Sequence, residues 1–217
     1  MTQSIQHYDS LLEAHKKRVN VILTRLKKMY PKAGMVLRYS NNWELLVAVM
    51  LSAQCTDKQV NIVTARLFKK YRKLDDYVQV RQSAFEKDIY STGFYRMKAK
   101  HILAAAKMIK KDFRGRVPRR MEDLLKLSGV ARKTANIVLG NAFGIVQGIA
   151  VDTHVARMAR IFHLTRHVNP DKIEKDLMEV ISKKDWFRST YLFIEYGRSY
   201  PRLREHRRID HPLKYLE

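Results

Sequence analysis

Leu124-Leu125-Lys126-Leu127-Ser128-Gly129-Val130-Ala131-Arg132-Lys133-Thr134-Ala135-Asn136-Ile137-Val138 decides the fold, and Val151-Asp152-Thr153-His154 answers it downstream. The stretch reads as a short helix, a turn centred on Gly129 and a second helix beginning near Ala131. The first N–H groups of a helix have no partner within it. Together with the macrodipole they attract an anion such as a phosphate. Gly129 lets the backbone approach that partner without a side chain in the way. Lys133 falls in the first turn of the second helix. The positive end of the dipole disfavours an ammonium there, and burial would disfavour it further. A lysine that sheds its proton is an amine nucleophile, able to form a Schiff base with an electrophilic carbon. Asp152 stands just before another helix, where its carboxylate can balance a developing cation. Both residues also have plainer readings. A lysine at a helix start is most often simply solvated, and an Asp before Thr-His-Val is an ordinary N-cap.

At these residues the chain resembles the helix-hairpin-helix DNA glycosylases, and specifically their endonuclease III branch. That branch reads Leu-Pro-Gly-Val-Gly-Arg-Lys-Thr-Ala-Asn and then Val-Asp-Thr-His. The likeness runs over about residues 35 to 200. Leu51-Ser52-Ala53-Gln54-Cys55-Thr56-Asp57 matches the family's Leu-Ser-Ala-Gln-x-Thr-Asp, and Gly93-Phe94-Tyr95 with Lys98-Ala99 matches its Gly-(Leu or Phe)-Tyr…Lys-Ala. The resemblance implies an all-helical fold of two lobes, with DNA held in the cleft between them. One lobe, a helical barrel containing the helix-hairpin-helix at about 124–138, would span residues 35–145. The other would combine residues 1–34 with 146–217, so that Lys133 and Asp152 face each other across the junction.

By the same resemblance, Lys133 is the Schiff-base nucleophile and Asp152 its carboxylate partner. Gln54 and Phe94 fill the gap left by a flipped-out nucleotide. Ser128, Gly129, Val130, Ala131 and Arg132 form the hairpin that holds a backbone phosphate. Ser52, Asp57 and His154 are candidates to border the pocket. The chain also departs from the family. Ser128 replaces the usual Pro and Ala131 the usual Gly, and Leu125 stands where some members carry an acidic residue. Many members end in four cysteines that hold an iron–sulfur cluster. Here the corresponding run is Tyr196-Gly197-Arg198-Ser199-Tyr200-Pro201, and Cys55 is the only cysteine in the sequence. An internal disulfide and a four-thiolate cluster are therefore excluded, and the expectation is a protein with neither metal nor organic cofactor.

Composition agrees with a nucleic-acid partner. The 217 residues carry 43 Lys and Arg against 21 acids, a net charge of +22, and 46% of them are hydrophobic. Such an excess needs an anionic partner, either nucleic acid or an acidic membrane surface. From Arg96 to Lys133 there are 13 Lys and Arg against 3 acids, a net of +10 in 38 residues. A surface that tracks phosphates needs this concentration, whereas a merely soluble surface mixes the signs. No run of about 18 apolar residues can span a bilayer. The first residues lack an apolar signal core. The expected location is intracellular, in a prokaryote the cytoplasm and nucleoid, and the expected state is a monomer.

Helical periodicity runs almost throughout, and the five prolines fall at helix boundaries (Pro31, Pro118, Pro170, Pro201, Pro212). Residues 8–29 read as one amphipathic helix. Trp43 to Leu51 reads as a buried helix ending at Ser52-Ala53-Gln54, which leaves Gln54 at a helix end. Thr56-Asp57 can cap the next helix. Ser83-Ala84-Phe85-Glu86 reads as a capping box. Gly93 breaks the chain, so Phe94 lies at a loop tip, either as a wedge between bases or folded back into the core. Residues 96–112 form a helix. Asn169-Pro170-Asp171 starts another, and Trp186 to Tyr200 reads as the last. The basic run Arg202 to Arg208, with Leu213, Tyr215 and Leu216 as anchors, is expected to pack where a cluster-bearing loop would lie.

These features admit three functional readings. The first is a base excision repair glycosylase with lyase activity at abasic sites, acting on damaged and by resemblance oxidised pyrimidines in duplex DNA. The second is a monofunctional mismatch or uracil glycosylase, against which Lys133 argues. The third is a non-catalytic helix-hairpin-helix DNA-binding module, which has no need of a Lys133–Asp152 pair. A membrane-surface protein would instead show an exposed apolar helix face among its basic residues.

Overall fold

The structure, a computed structural model, describes residues 2–200, with side chains described from residue 12 onward. The last basic run and its proposed anchors, Leu213, Tyr215 and Leu216, lie outside the described residues, as do Pro201 and Pro212. The described residues form eleven α-helices and no strand. In chain order these are α1 (Thr2–Met29), α2 (Asn42–Leu51), α3 (Asp57–Lys70), α4 (Leu74–Gln79), α5 (Gln82–Ile89) and α6 (Tyr95–Asp112). They continue with α7 (Met121–Leu124), α8 (Arg132–Phe143), α9 (Thr153–Ile161), α10 (Pro170–Val180) and α11 (Trp186–Ser199). The chain divides into two compact units, residues 36–147 and residues 1–35 with 148–217.

The unit of residues 36–147 is built on α2. Leu45, Leu46, Val47, Ala48 and Leu51 are all fully buried, which suits a helix covered on every side rather than along one stripe. It packs on α8, α6 and α3. Asn41 caps it, its side chain accepting from the Glu44 N–H at 3.0 Å. Around α4 and α5 an aromatic cluster fills the core. The Tyr77 ring sits 5.1 Å from Trp43, 5.3 Å from Tyr71 and 5.7 Å from Phe85. Edge and tilted contacts at these distances suit the ring quadrupoles. Burial raises the Tyr77 pKa, and it holds the Tyr71 phenol up to about 12, with the bond to Asp88 adding to the effect.

One helix start follows the sequence reading, with Thr56 of the Thr56-Asp57 pair as the cap, and another departs from it. Thr56, not Asp57, caps α3, accepting from Gln59 N–H at 3.3 Å, and Asp57 is the first helical residue. An acidic residue is favourable there because it faces the positive end of the dipole. The capping box at Ser83–Glu86 does not form. The α5 helix begins at Gln82 with Arg81 as N-cap, so Ser83 already lies inside the first turn. Instead Asp76, at the start of α4, accepts from the Arg72 and Lys73 N–H groups at 2.7 and 2.8 Å.

The other unit packs α9 on α11, with α1 and α10 completing the core. Its fully buried residues include Ile22, Leu26, Val155, Met158, Phe162, Leu177, Phe193 and Tyr196. Phe162 and Tyr196 stack 5.5 Å apart. Burying such side chains stabilises by about 1.5–3 kcal/mol each. Pro170 opens α10 behind Asn169, whose side chain accepts from Asp171 and Lys172 N–H at 2.9 and 3.2 Å. Where α9 meets α11 the chain passes close at Gly197. A Cβ there would lie 3.2 Å from both His154 Nδ1 and an Arg157 guanidinium nitrogen.

Candidate nucleic-acid interface and nucleophile

The hairpin is anchored from inside. Leu124, Leu127, Val130, Ala135, Val138 and Leu139 are buried and hold α7 and α8 to the rest of their unit. Val130 N–H donates to Leu127 O at 3.1 Å and closes the turn. Gly129 sits at its apex with φ +76°, and a Cβ there would come within 2.7 Å of His101 Cβ. Both the left-handed backbone and the close approach require glycine. Ser128 is tied to α6 by a 2.8 Å hydrogen bond between its hydroxyl and His101 Nδ1.

Ala131 is the N-cap of α8 and contributes no capping side chain. The first turn of α8 therefore keeps its anion-attracting character. Arg132 opens that turn half-buried, and Lys133 follows it exposed. The burial considered for Lys133 from its sequence is thus absent. Asp152 belongs to the other unit. It is the N-cap of α9, half-buried, and its Oδ1 accepts from Val155 N–H at 2.8 Å. A carboxylate used this way keeps its second oxygen for another partner. His154 is in the first turn of α9, against Gly197. It is therefore part of the α9–α11 contact. Ser52 ends α2 and donates its hydroxyl to Val49 O at 2.8 Å.

Gln54 and Phe94 come together. They line one recess of about 290 Å³, with Met50, Ala53, Met97, Lys98, His101 and Gly129 as the other walls. Both residues have left-handed backbones, φ 51° for Gln54 and φ 47° for Phe94. Such residues cost on the order of 1 kcal/mol or more and concentrate at functional sites. Phe94 is 66% exposed, which excludes its folding back into the core. The recess is mostly apolar, and the hairpin glycine forms one wall of it. Lys133 is not among its walls.

Of the basic residues between Arg96 and Lys133, all but Lys98 and Arg132 are exposed. Three of them are engaged by neighbouring acids. Lys110 lies 2.7 Å from Asp75, Lys126 2.7 Å from Asp123, and Arg120 pairs with Glu122. Exposed pairs of this kind are worth little and leave the positive field largely intact. Lys98 is different, being only 6% exposed. Its charge, counted with the basic surface from the sequence, is turned inward. The sequence marks it through the Lys98-Ala99 match and its place in the inward stripe of α6, beside Ala99 and Ile102, but neither shows what its ammonium meets.

No group of three or more His, Cys, Asp or Glu among the described residues is arranged to hold a metal ion. Cys55 lies in the turn between α2 and α3, well away in sequence from the Tyr196–Tyr200 run that matches the start of the cluster-bearing segment. The residues present do not fit a four-cysteine iron–sulfur cluster. No helix among the described residues is long and apolar enough to cross a membrane.

This arrangement, a glycine hairpin opening a helix with a lysine in its first turn on an all-helical frame, defines a class. The chain belongs to the HhH-GPD superfamily of base excision DNA repair proteins, whose family model matches residues 47–183, and within it to the endonuclease III branch. It is 47% identical over 188 residues to endonuclease III of Synechocystis sp., covering 87% of this chain and 86% of that one. It is 43% identical over 201 residues to endonuclease III of Bacillus subtilis, covering 92% and 91%. Among solved structures it is similar to a trapped endonuclease III–DNA covalent intermediate in an estranged-adenine complex. There the TM-score is 0.83 and the identity 43%, over 86% of this chain and 88% of that chain.

Proposed function

We propose that this protein is a bifunctional DNA glycosylase and abasic-site lyase of base excision repair, acting on damaged pyrimidines in duplex DNA with Lys133 as its nucleophile. The observation that carries the reading is the position of Lys133, in the first turn of α8 directly after the Gly129 hairpin. A monofunctional glycosylase or a binding module has no need of an amine there. A relative of the same branch has been trapped in covalent linkage to DNA, which is the outcome an amine nucleophile gives.

The damaged nucleotide first leaves the stack, at a cost of a few kcal/mol that damage itself reduces. Gln54 and Phe94 enter the space it vacates. Phosphates flanking it rest on the hairpin from Ser128 to Arg132, within the positive field of the Arg96–Lys133 segment. The Lys133 amine attacks the sugar C1′, and the C1′–N bond breaks with its electron pair leaving on the base, which takes up a proton. Opening of the sugar ring gives the C1′ iminium. Loss of the C2′ proton is followed by cleavage of the C3′–O bond, and the 3′ phosphate departs by β-elimination. Water then hydrolyses the imine and restores the lysine. Asp152 stabilises the positive charge that develops on the sugar while its Oδ1 serves the α9 cap. The oxidised or saturated pyrimidines carried over from the family are the proposed substrates. The bacterial relatives support a location where chromosomal DNA is accessible.

The test is a duplex carrying one oxidised pyrimidine, with the products resolved before and after alkali. Strand cleavage without alkali, ending in a 3′ unsaturated aldehyde, supports the bifunctional reading. Base release that yields only an alkali-labile abasic site identifies a monofunctional glycosylase. Binding with neither product identifies a non-catalytic module.

A further inference from the structure

Gln54 and Phe94 stand at the tips of two separate turns, one following α2 and the other preceding α6. Each tip has an unfavourable left-handed backbone, so something in the surrounding structure must hold it. The buried lysine of α6 meets both turns. Lys98 Nζ donates to Leu51 O at 2.8 Å and to Thr92 O at 2.7 Å. Leu51 is the last residue of α2, three before Gln54, and its carbonyl is one of those a helix leaves unpaired at its C-terminus. Thr92 ends the 3₁₀ turn Tyr90–Thr92, two residues before Phe94. A cation at a helix C-terminus is well placed against the dipole. The same ammonium is costly to bury, and desolvation lowers its pKa. A lysine buried at that cost, on two main-chain carbonyls from different turns, is poorly explained by packing alone. An apolar side chain of similar length would fill the space but leave both carbonyls without this donor.

We propose that Lys98 is a positioning residue that fastens the Gln54 turn to the Phe94 turn, so that both side chains enter the duplex as one preset unit. This rests on the reading of Gln54 and Phe94 as the residues that fill the vacated space. Lys98 touches neither the sugar nor the base. Its effect is confined to substrates whose nucleotide must be withdrawn from a duplex. A single-stranded oligonucleotide with an abasic site has no opposing strand and no stack to hold open, so its cleavage by Lys133 does not require the paired tips.

The experiment compares Lys98→Met with the native protein and with the Gln54→Ala/Phe94→Ala double variant, on both substrates. Lys98→Met is expected to lose roughly 100-fold in kcat/KM on the damaged duplex, as for a misplacement of about 1 Å near the reacting groups. It is expected to cleave the single-stranded abasic oligonucleotide at the native rate. Added to the double variant, Lys98→Met causes no further loss, because it acts through the residues already removed. If Lys98→Met does not fold, Lys98→Gln, which retains an N–H donor for one carbonyl, shows the same selectivity with a smaller loss. Equal loss on both substrates, or an additive loss in the triple variant, assigns Lys98 a purely structural role and overturns the proposal. Native duplex activity in Lys98→Met, with the double variant impaired, overturns it while leaving the reading of Gln54 and Phe94 intact. A double variant with native duplex activity overturns that reading, and this proposal with it.

Discussion

Asp152 caps α9 through one oxygen, so its replacement has a folding consequence besides any chemical one. The two separate by choice of substitution. Asn ranks with Asp as an N-cap, whereas Ala removes the acceptor at a cost of about 1 kcal/mol. Asp152→Asn is therefore predicted to melt near the native temperature and Asp152→Ala below it. Both lose base release by roughly 100-fold or more, the scale of losing one preorganised electrostatic partner. Thermal melts beside single-turnover assays check this, and an active Asp152→Asn would remove the carboxylate from the mechanism. Gly129 makes a second residue-scale prediction. An added Cβ would meet His101 Cβ at 2.7 Å and Met50 Cε at 3.1 Å, on a backbone with φ +76°. Gly129→Ala is predicted to destabilise by about 1–3 kcal/mol and to weaken duplex binding, measured by denaturant titration and by anisotropy. Native values in both would mean the hairpin tolerates a side chain.

At the scale of an element, α1 carries a pH dependence of its own. His15 has a buried Nε2 with no hydrogen-bond partner. Burial first, and Arg18 second, hold its pKa below the ordinary 6.5, with Glu179 pulling weakly the other way. The folded state thus takes up the proton less readily than the unfolded chain. Stability from this group is fully present above pH 6.5 and falls as the pH drops toward the folded-state pKa. His15→Gln is predicted to flatten that part of the profile, read as denaturation midpoints from pH 7.5 down to about 5. Parallel profiles for the two proteins would contradict it. Helices long enough for periodicity could be read directly from the residues. The apolar run from Trp43 to Leu51 marks α2, the inward stripe Ala99, Ile102, Leu103, Ala106 and Ile109 marks α6, and Asn169-Pro170 marks the start of α10. The six residues of α4 are too few to show a period. The Ser83-x-x-Glu86 pattern misplaced a helix start by two residues, because Arg81 without a capping side chain is an unmarked beginning. Lys133 and the hairpin stood out by type and order. Lys98 stood out only as part of the Lys98-Ala99 match and with no role, because a sequence records that a lysine is charged and not that its ammonium points inward to two carbonyls.

For the whole molecule the dominant feature is charge. A net charge of +22 makes phosphate contacts the main source of affinity for undamaged duplex. Binding should weaken steeply with salt, by about 0.9 in the log–log slope for each phosphate neutralised. Lys100, Arg114 and Arg116 are exposed in the basic segment, whereas Lys110 is engaged by Asp75 at 2.7 Å. Arg114→Ala/Arg116→Ala is predicted to make the slope shallower by up to about 2, since each cation withdrawn from a phosphate removes about 1. Lys110→Ala should change it less. Salt titrations of affinity for undamaged duplex measure this, and an unchanged slope in the double variant would place the DNA path elsewhere. The residues present do not fit a four-cysteine cluster, and the described part of the C-terminal unit has a core rich in aromatic residues. Phe162, Phe193 and Tyr196 are all fully buried there.

At the centre of the proposed chemistry, an amine of this chain, on Lys133, becomes covalently joined to the sugar. Borohydride trapping on a duplex with a single abasic site tests it most directly, with native protein beside Lys133→Ala and Asp152→Asn. Reduction of the imine should give the native protein a stable protein–DNA adduct. The adduct should be absent from Lys133→Ala and diminished in Asp152→Asn. An adduct that persists in Lys133→Ala would show that another amine does the chemistry. No adduct from the native protein, with tight binding retained, would show that the protein is not a Schiff-base lyase.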